Sequence, residues 1–223
     1  LQAAGHVCLI WDCRFSTDSL ETALASFRPD LVGISMRNVD NVQFHNPKSF
    51  VQDVVEYCTR IRAATRATLV LGGSAFSVFP RELFELTGVD YGVQGAGEAP
   101  LLQLIERLQA GESPDGIAGL FRRDDSGATQ CAPASLETAT FSSTPFHEPT
   151  LLAAYVKNGS LPGIQTQRGC PLPCCYCTYP LIEGRRSRFS RGEQVVAELR
   201  QLASLGVRYT FIVSSFFNTR PDH

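Results

Sequence analysis

The chain has 223 residues, of which 43% are hydrophobic and 19% charged, and its 20 Lys+Arg against 22 Asp+Glu leave a formal charge of −2. This composition suits a globular chain with a buried core and excludes a disordered tail. The near-neutral balance gives no general case for nucleic acid or an acidic membrane surface; no apolar run approaches the ~18–20 residues of a membrane span and no signal peptide is read, so the expected location is the cytoplasm.

In chain order, His6–Asp12 (HVCLIWD) reads as a buried strand and Thr17–Phe27 as a short helix. Asp30–Ser35 (DLVGIS) is a second strand. From Pro47 to Thr65, Val51, Val54, Val55, Cys58 and Ile61 fall on one helical face. Thr68–Leu71 is a third strand ending in Gly72-Gly73, Pro80–Thr87 a short helix, Val89–Val93 a fourth strand, and Glu98–Ala110 a helix stopped by Gly111. Apolar strands alternating with helices predict an α/β, doubly wound parallel sheet covered on both faces.

A second unit is expected from about residue 119. Gly119–Arg123 and Ala128–Cys131 around Asp124–Gly127 read as a hairpin. Residues 132–162, rich in Pro, Ser and Thr, read as an irregular connector. Ile164–Gln167 is a short strand, and Ser190–Gly206 a helix with a Ser190/Glu193 capping box and an apolar line of Val195, Val196, Leu199, Leu202 and Leu205. Val207–Val213 is the next strand.

Eight cysteines in a chain of this length with no export signal do not suggest a disulfide framework. Cys8, Cys13, Cys58 and Cys131 are scattered through apolar segments, where free Cys acts as a small core residue. The other four stand together in Arg168-Gly-Cys170-Pro-Leu-Pro-Cys174-Cys175-Tyr176-Cys177. In the frame Cys-x3-Cys-x2-Cys, three thiolates on one loop can hold three irons of a [4Fe–4S] cube and leave the fourth open. The competing reading is structural zinc, which prefers four ligands; no second knuckle or nearby His completes such a set.

This spacing, with its aromatic before the last Cys, closely resembles the radical S-adenosylmethionine enzymes. The resemblance implies that Cys170, Cys174 and Cys177 hold the cluster, that Tyr176 lies near the cofactor's adenine, and that Cys175 is a spare thiol. It extends to the subgroup with an N-terminal cobalamin-binding domain. Leu151–Arg168 is similar to the lead-in of its barrel, and Thr178–Arg185 to the segment after its cysteines. Ala4–Val7, Gly33–Asn41, Gly72-Gly73 and Gln94–Glu98 resemble the strand-end loops of its cobalamin domain. Ligands sit beyond the carboxyl ends of strands in such sheets, so Arg37, Asn38, Asp40, Asn41, Gly72, Gly73, Ser74, Gln94, Gly95 and Glu98 are the expected cobalamin-side residues. The Asp-x-His-x-x-Gly motif that supplies a cobalt ligand in many cobalamin domains is absent. His6 reads as packing or surface, and His45, in a polar loop, could approach the corrin; the resemblance implies cobalamin bound without a His ligand, with Arg37 at a strand end facing the lower side of cobalt. Arg185, Arg186, Arg188 and Arg191 form either a solvated face or a clamp for an anion, and Ser214 stands at a strand end where relatives carry an acidic residue.

The implied organisation is a flavodoxin-like cobalamin-binding domain over residues 1–118, a hairpin and connector over 119–162, and the first part of a (β/α)6 radical S-adenosylmethionine partial barrel over 163–223. Against the strand order 2-1-3-4-5, the strand expected before His6–Asp12 is missing. The barrel is expected to stop after its second strand, giving a fragment inactive alone. The implied cofactors are a 4Fe-4S cluster, S-adenosyl-L-methionine and cobalamin. The implied reaction is reductive cleavage of S-adenosylmethionine to a 5′-deoxyadenosyl radical and methyl transfer to an unactivated carbon. A cobalamin-dependent cyclisation or rearrangement and a non-catalytic cobalamin- or metal-binding module remain as alternatives. The expected partners are a small-molecule or peptide substrate and an electron donor such as flavodoxin or ferredoxin, with no nucleic acid and no membrane.

Overall fold

In a computed structural model, which describes residues 1–134, 149–215 and 217, the chain divides into two units. One comprises Leu1–Leu9 with Asp18–Ala139, the other Ile10–Thr17 with Thr140–His223. Part of the predicted connector and, within the Ser214–Asn218 run, Phe216 and Asn218 lie outside the described residues.

The first unit runs α1 (Leu20–Phe27), β1 (Leu31–Ser35), α2 (Val51–Ala64), β2 (Thr68–Gly72), α3 (Ser74–Val78), α4 (Pro80–Thr87), β3 (Tyr91–Val93), α5 (Glu98–Ala110), β4 (Leu120–Arg123) and β5 (Thr129–Cys131). Ser19 starts α1 by accepting the Thr22 N–H at 3.1 Å. Gly111, in the left-handed region at φ 67°, ends α5. The α2 stripe faces inward as its spacing predicts, with Val54, Cys58 and Ile61 buried. Burial pushes the Cys58 thiol up to about 11, which leaves it a protonated packing group.

The strands lie in the order β1-β2-β3-β4-β5. β1, β2 and β3 pair in parallel, with Leu31 opposite Thr68 and Val70 opposite Tyr91. The hairpin β4–β5 continues this sheet antiparallel, Val93 facing Leu120. The expected start of a second unit at residue 119 therefore falls inside the first sheet. Leu120 and Ile117 close one core with Val70, Val93 and Leu104, and Arg123 lies over the Phe84 ring of α4. The hairpin is kept there by burial of its own apolar residues.

His6–Asp12 is not a strand. Its backbone is irregular, and Val7, Leu9 and Ile10 are 84%, 53% and 59% exposed. An apolar run becomes a strand only where a ladder satisfies its N–H and C=O groups. Among the described strands β1 pairs with β2 alone, and none pairs with this run. Of the four scattered cysteines only Cys58 is fully buried, and Cys13 is exposed.

The second unit contains α6 (Pro149–Lys157), β6 (Gly163–Gln165), β7 (Gln167–Arg168), α7 (Tyr179–Glu183), β8 (Arg188–Phe189), α8 (Gly192–Ser204) and β9 (Phe211–Val213). β6 and β9 are parallel neighbours, Ile164 opposite Ile212, with α8 as crossover. Leu152, Ile164, Leu202 and Val207 make the core. Helix α6 lies in what the composition reads as connector: its Pro149 is tolerated in the first turn, and Leu151 and Leu152 are buried.

Two details of α8 differ from expectation. Its N-cap is Arg191, whose N–H donates to Gln194 Oε1 at 3.3 Å. Ser190 instead uses its N–H on the Thr166 carbonyl at 2.9 Å, and its buried hydroxyl has no partner among the described residues. Among the described strands the helix covers β6 and β9, and its covered stripe narrows to half-buried Val195 with buried Glu198 and Leu202, while Val196, Leu199 and Leu205 are 44%, 40% and 40% exposed.

Candidate functional site

The first unit gathers three strand-end loops through the five-residue helix α3. After β1, the Met36 N–H donates to the Gly72 carbonyl at 2.9 Å and the Met36 carbonyl accepts the Ala75 N–H at 3.0 Å. Ser74 Oγ donates to the Arg37 carbonyl at 2.6 Å. Gly73 makes this closeness possible. Its φ is +98°, and an added Cβ would stand 2.5 Å from the Met36 carbonyl oxygen. On the other side, buried Ser77 donates to the Gly73 carbonyl at 2.9 Å and accepts the Gly95 N–H at 2.9 Å. Gln94 Nε2 reaches the Ser77 carbonyl at 3.2 Å, and its N–H donates to the Gly119 carbonyl at 2.9 Å.

Arg37, Gly72, Gly73, Ser74, Gln94 and Gly95 are thus laced into one edge beyond the carboxyl ends of β1, β2 and β3. Glu98 opens α5 on the same side of β3. Asp40 and Asn41 shape their own loop. Asp40 Oδ1 accepts the Val42 N–H at 2.8 Å. Asn41 Nδ2 donates to the Asn46 carbonyl at 2.8 Å while its Oδ1 accepts the Lys48 N–H at 3.0 Å. Asn38 and His45 are exposed. The sequence reading missed Ser77 and the helix that carries it. The available signal was a serine four residues beyond Gly73, the span over which a helical hydroxyl bonds back to the backbone.

In the second unit, Cys170 is buried at 6% exposure, whereas residues 171–178, including Cys174, Cys175 and Cys177, are exposed and Tyr176 is 85% exposed. The Cys170 N–H donates to the Gly184 carbonyl at 3.0 Å, and the Cys177 N–H to the Cys174 carbonyl at 3.3 Å. All eight thiols are free. Among the described residues, no three His, Cys, Asp or Glu side chains are gathered closely enough to hold a metal ion. The loop carries the right donors without holding them together.

A [4Fe–4S] cluster nevertheless fits the donor set. Three free thiols lie on one loop, the first is anchored and buried, and the other two are on exposed backbone. Structural zinc takes four ligands; Cys175 is a fourth thiol on the same loop, and the described residues gather neither set.

The basic run does not form one face. Arg185, Arg186 and Arg191 are exposed, but Arg188 is half-buried and its Nη2 donates to the Glu183 carbonyl at 2.7 Å. Ser214 Oγ is 2.8 Å from Thr166 Oγ1 at the end of β9.

Residues 1–105 match the B12 binding domain family. The chain is 26% identical over 276 aligned residues to the tryptophan 2-C-methyltransferase of Streptomyces laurentii, the alignment covering all of this chain and 46% of that protein. Among solved structures, it superposes on the radical S-adenosylmethionine methyltransferase TsrM from Kitasatospora setae with cobalamin and a [4Fe-4S] cluster bound. There the TM-score is 0.76 at 30% identity, over 90% of this chain and 41% of that one. The same enzyme with tryptophan substrate and a S-adenosylmethionine analogue gives a TM-score of 0.78 at 28% identity, over 91% of this chain and 40% of that one. The cobalamin-dependent enzyme OxsB shares the fold, with a TM-score of 0.65 at 23% identity over 83% of this chain and 25% of that one. The chain therefore spans less than half the length of these relatives.

Proposed function

We propose that the chain, whose residues 1–105 match the B12 binding domain family and which is 30% identical to a radical S-adenosylmethionine methyltransferase over 90% of its length, is the cofactor-binding part of a cobalamin-dependent radical S-adenosylmethionine methyltransferase. Residues 1–118 form the cobalamin side, with the hairpin to Cys131 adding to its sheet, and residues 163–223 begin the barrel. The observation that carries this reading is the anchored loop with Cys170, Cys174 and Cys177 in the Cys-x3-Cys-x2-Cys frame.

The cluster, S-adenosylmethionine and cobalamin, when bound, supply the radical and methyl-transfer chemistry, and the protein's task is to bind and orient them. Cys170, Cys174 and Cys177 hold the cluster and leave one iron for S-adenosylmethionine. Tyr176, exposed beside the third ligand, offers its ring face to the adenine. The strand-end edge of Arg37, Gly72–Ser74 and Gln94–Gly95 receives cobalamin. Its glycines bring backbone close to the ligand, and the serine lacing holds the loops before the ligand arrives. Arg37, with Asn38, is exposed beyond β1 and would be the residue to approach bound cobalamin from this edge.

Eight free thiols persist in a reducing cytoplasm, where we place the protein with a one-electron donor such as flavodoxin or ferredoxin. Its substrate is a small molecule, and tryptophan is the first to try.

Anaerobic reconstitution with iron, sulfide and cobalamin tests the reading. The expected result is about four irons per chain, retained cobalamin, and an EPR signal that S-adenosylmethionine alters. Zinc in place of iron would overturn it. In a full-length protein carrying this segment, methyl-labelled S-adenosylmethionine, supplied with tryptophan and a reductant, separates methyl transfer from a cyclisation or rearrangement, which leaves the product unlabelled.

A further inference from the structure

Gly169, the residue before the first cysteine, has both sides of its peptide unit held. Its N–H donates to Glu183 Oε2 at 3.0 Å. Its carbonyl accepts Gln167 Nε2 at 3.0 Å and Ser215 Oγ at 3.3 Å. Gly169 has φ +80°, and an added Cβ would overlap the Arg186 carbonyl oxygen. Only glycine can make this turn.

Glu183, at the end of α7, is fixed from three sides. Its Oε1 accepts Gln165 Nε2 at 2.7 Å, and its own carbonyl accepts Arg188 Nη2 at 2.7 Å. The next residue, Gly184, takes the Cys170 N–H. One short stretch of α7 therefore ties down the two consecutive N–H groups, of Gly169 and Cys170, that enter the cysteine loop, while residues 171–178 are exposed.

We infer that Glu183 is a positioning residue for the cluster: its carboxylate, through the Gly169 N–H, fixes Cys170 as the preformed ligand onto which Cys174 and Cys177 close. The inference rests on the cluster reading above. A carboxylate on a backbone N–H is a charge-assisted bond, stronger than a neutral one. Ordering one ligand in advance leaves less conformational entropy to lose when the other two are captured. The Cys-x3-Cys-x2-Cys frame names the ligands, and Glu183 sets where the first of them stands.

The test compares the whole chain as wild type, Glu183→Gln and Glu183→Ala in two readouts. Without metal, amide hydrogen exchange over residues 168–171 is expected to speed up about tenfold or more in Glu183→Ala, the effect of losing roughly one charge-assisted bond. Glu183→Gln, uncharged and with one amide oxygen for the two donors Gly169 N–H and Gln165 Nε2, is expected to fall between wild type and Glu183→Ala. After anaerobic reconstitution, Glu183→Ala is expected to release iron to a chelator about tenfold faster and Glu183→Gln at an intermediate rate. Unchanged exchange, or unchanged iron release, in Glu183→Ala overturns the proposal. If Glu183→Ala does not fold, Gln165→Ala loosens the same carboxylate from its other oxygen and is expected to move both readouts the same way. A wild type that takes up no iron sinks the cluster reading and the cluster half of this proposal with it. The exchange result then still decides whether Glu183 holds the turn.

Discussion

The Ser77 hydroxyl, 2% exposed, accepts the Gly95 N–H at 2.9 Å while donating to the Gly73 carbonyl at 2.9 Å. One buried oxygen thereby fixes the loop after β2 to the loop after β3. Ser74 Oγ, three residues earlier, fixes the loop after β2 to Arg37 after β1. The spacing of the three loops is set by two serines of a five-residue helix and not by the strands alone.

Ser77→Ala removes both bonds and leaves the Gly95 N–H without its acceptor. The expected cost is about 1–3 kcal/mol, read as a lower urea midpoint at unchanged slope. Cobalamin retained through gel filtration should fall with it. Full retention in a destabilised variant would show that the lacing serves folding and not the ligand edge.

Gly73→Ala should cost more than Gly88→Ala. Both positions have positive φ, +98° and +61°, but nothing lies within 4 Å of a Cβ on Gly88, while one on Gly73 meets Met36 backbone. Gly88→Ala is expected to cost about 1 kcal/mol from backbone conformation alone. Gly73→Ala adds displacement of the β1 loop, for a total of about 2–4 kcal/mol. Equal midpoints in thermal unfolding would contradict the close approach.

Among the four clustered cysteines, alanine at Cys170, Cys174 or Cys177 is expected to remove most iron uptake after anaerobic reconstitution, and alanine at Cys175 to leave it intact. Iron analysis and visible absorbance check this. Loss at Cys175 with retention at Cys174 would mean that the ligand frame has shifted by one residue.

The Tyr155 hydroxyl donates to Asp12 Oδ2 at 2.6 Å, and its ring meets Phe15 edge-on with centroids 4.6 Å apart. Burial pushes the Asp12 carboxyl up, but the Tyr155 hydroxyl and the Arg14 and Phe15 N–H groups outweigh it and leave the group below its ordinary value. The bond to Asp12 and burial raise Tyr155 to about 12. A lowered carboxyl contributes stability above its unfolded value of about 4 and loses it as the pH falls through the folded value. A raised phenol contributes below its unfolded value of about 10 and loses that as the pH rises through about 12. Tyr155→Phe keeps the ring contact, so it should cost about 1 kcal/mol between roughly pH 5 and 9. The difference from wild type should shrink outside that window. Denaturant titrations across pH measure it, and a difference constant to both extremes would break the assignment.

Elements whose stability is local were legible in the sequence. The α2 stripe, the Gly111 stop and the Pro80 start are repeated by the structure within a few residues, because helix period and end chemistry act over one or two turns. Where the sequence misled, the deciding contact was distant. Among the described strands, His6–Asp12, with the composition of a strand, finds no ladder, and Leu199, with the spacing of a core residue, is left 40% exposed.

By itself the sequence determined the chemistry on offer, namely three thiols in one frame, glycine-marked strand ends and the lack of a histidine motif for cobalt. Residue type and spacing are local quantities, and the cysteine loop is continuous in the chain. Only the tertiary structure decided what holds those groups in place. Ser77 lies 18 residues from Gly95, and Glu183 lies 14 from Gly169. A hydrogen bond across such a span exists only when packing has brought its ends together and shut out competing water.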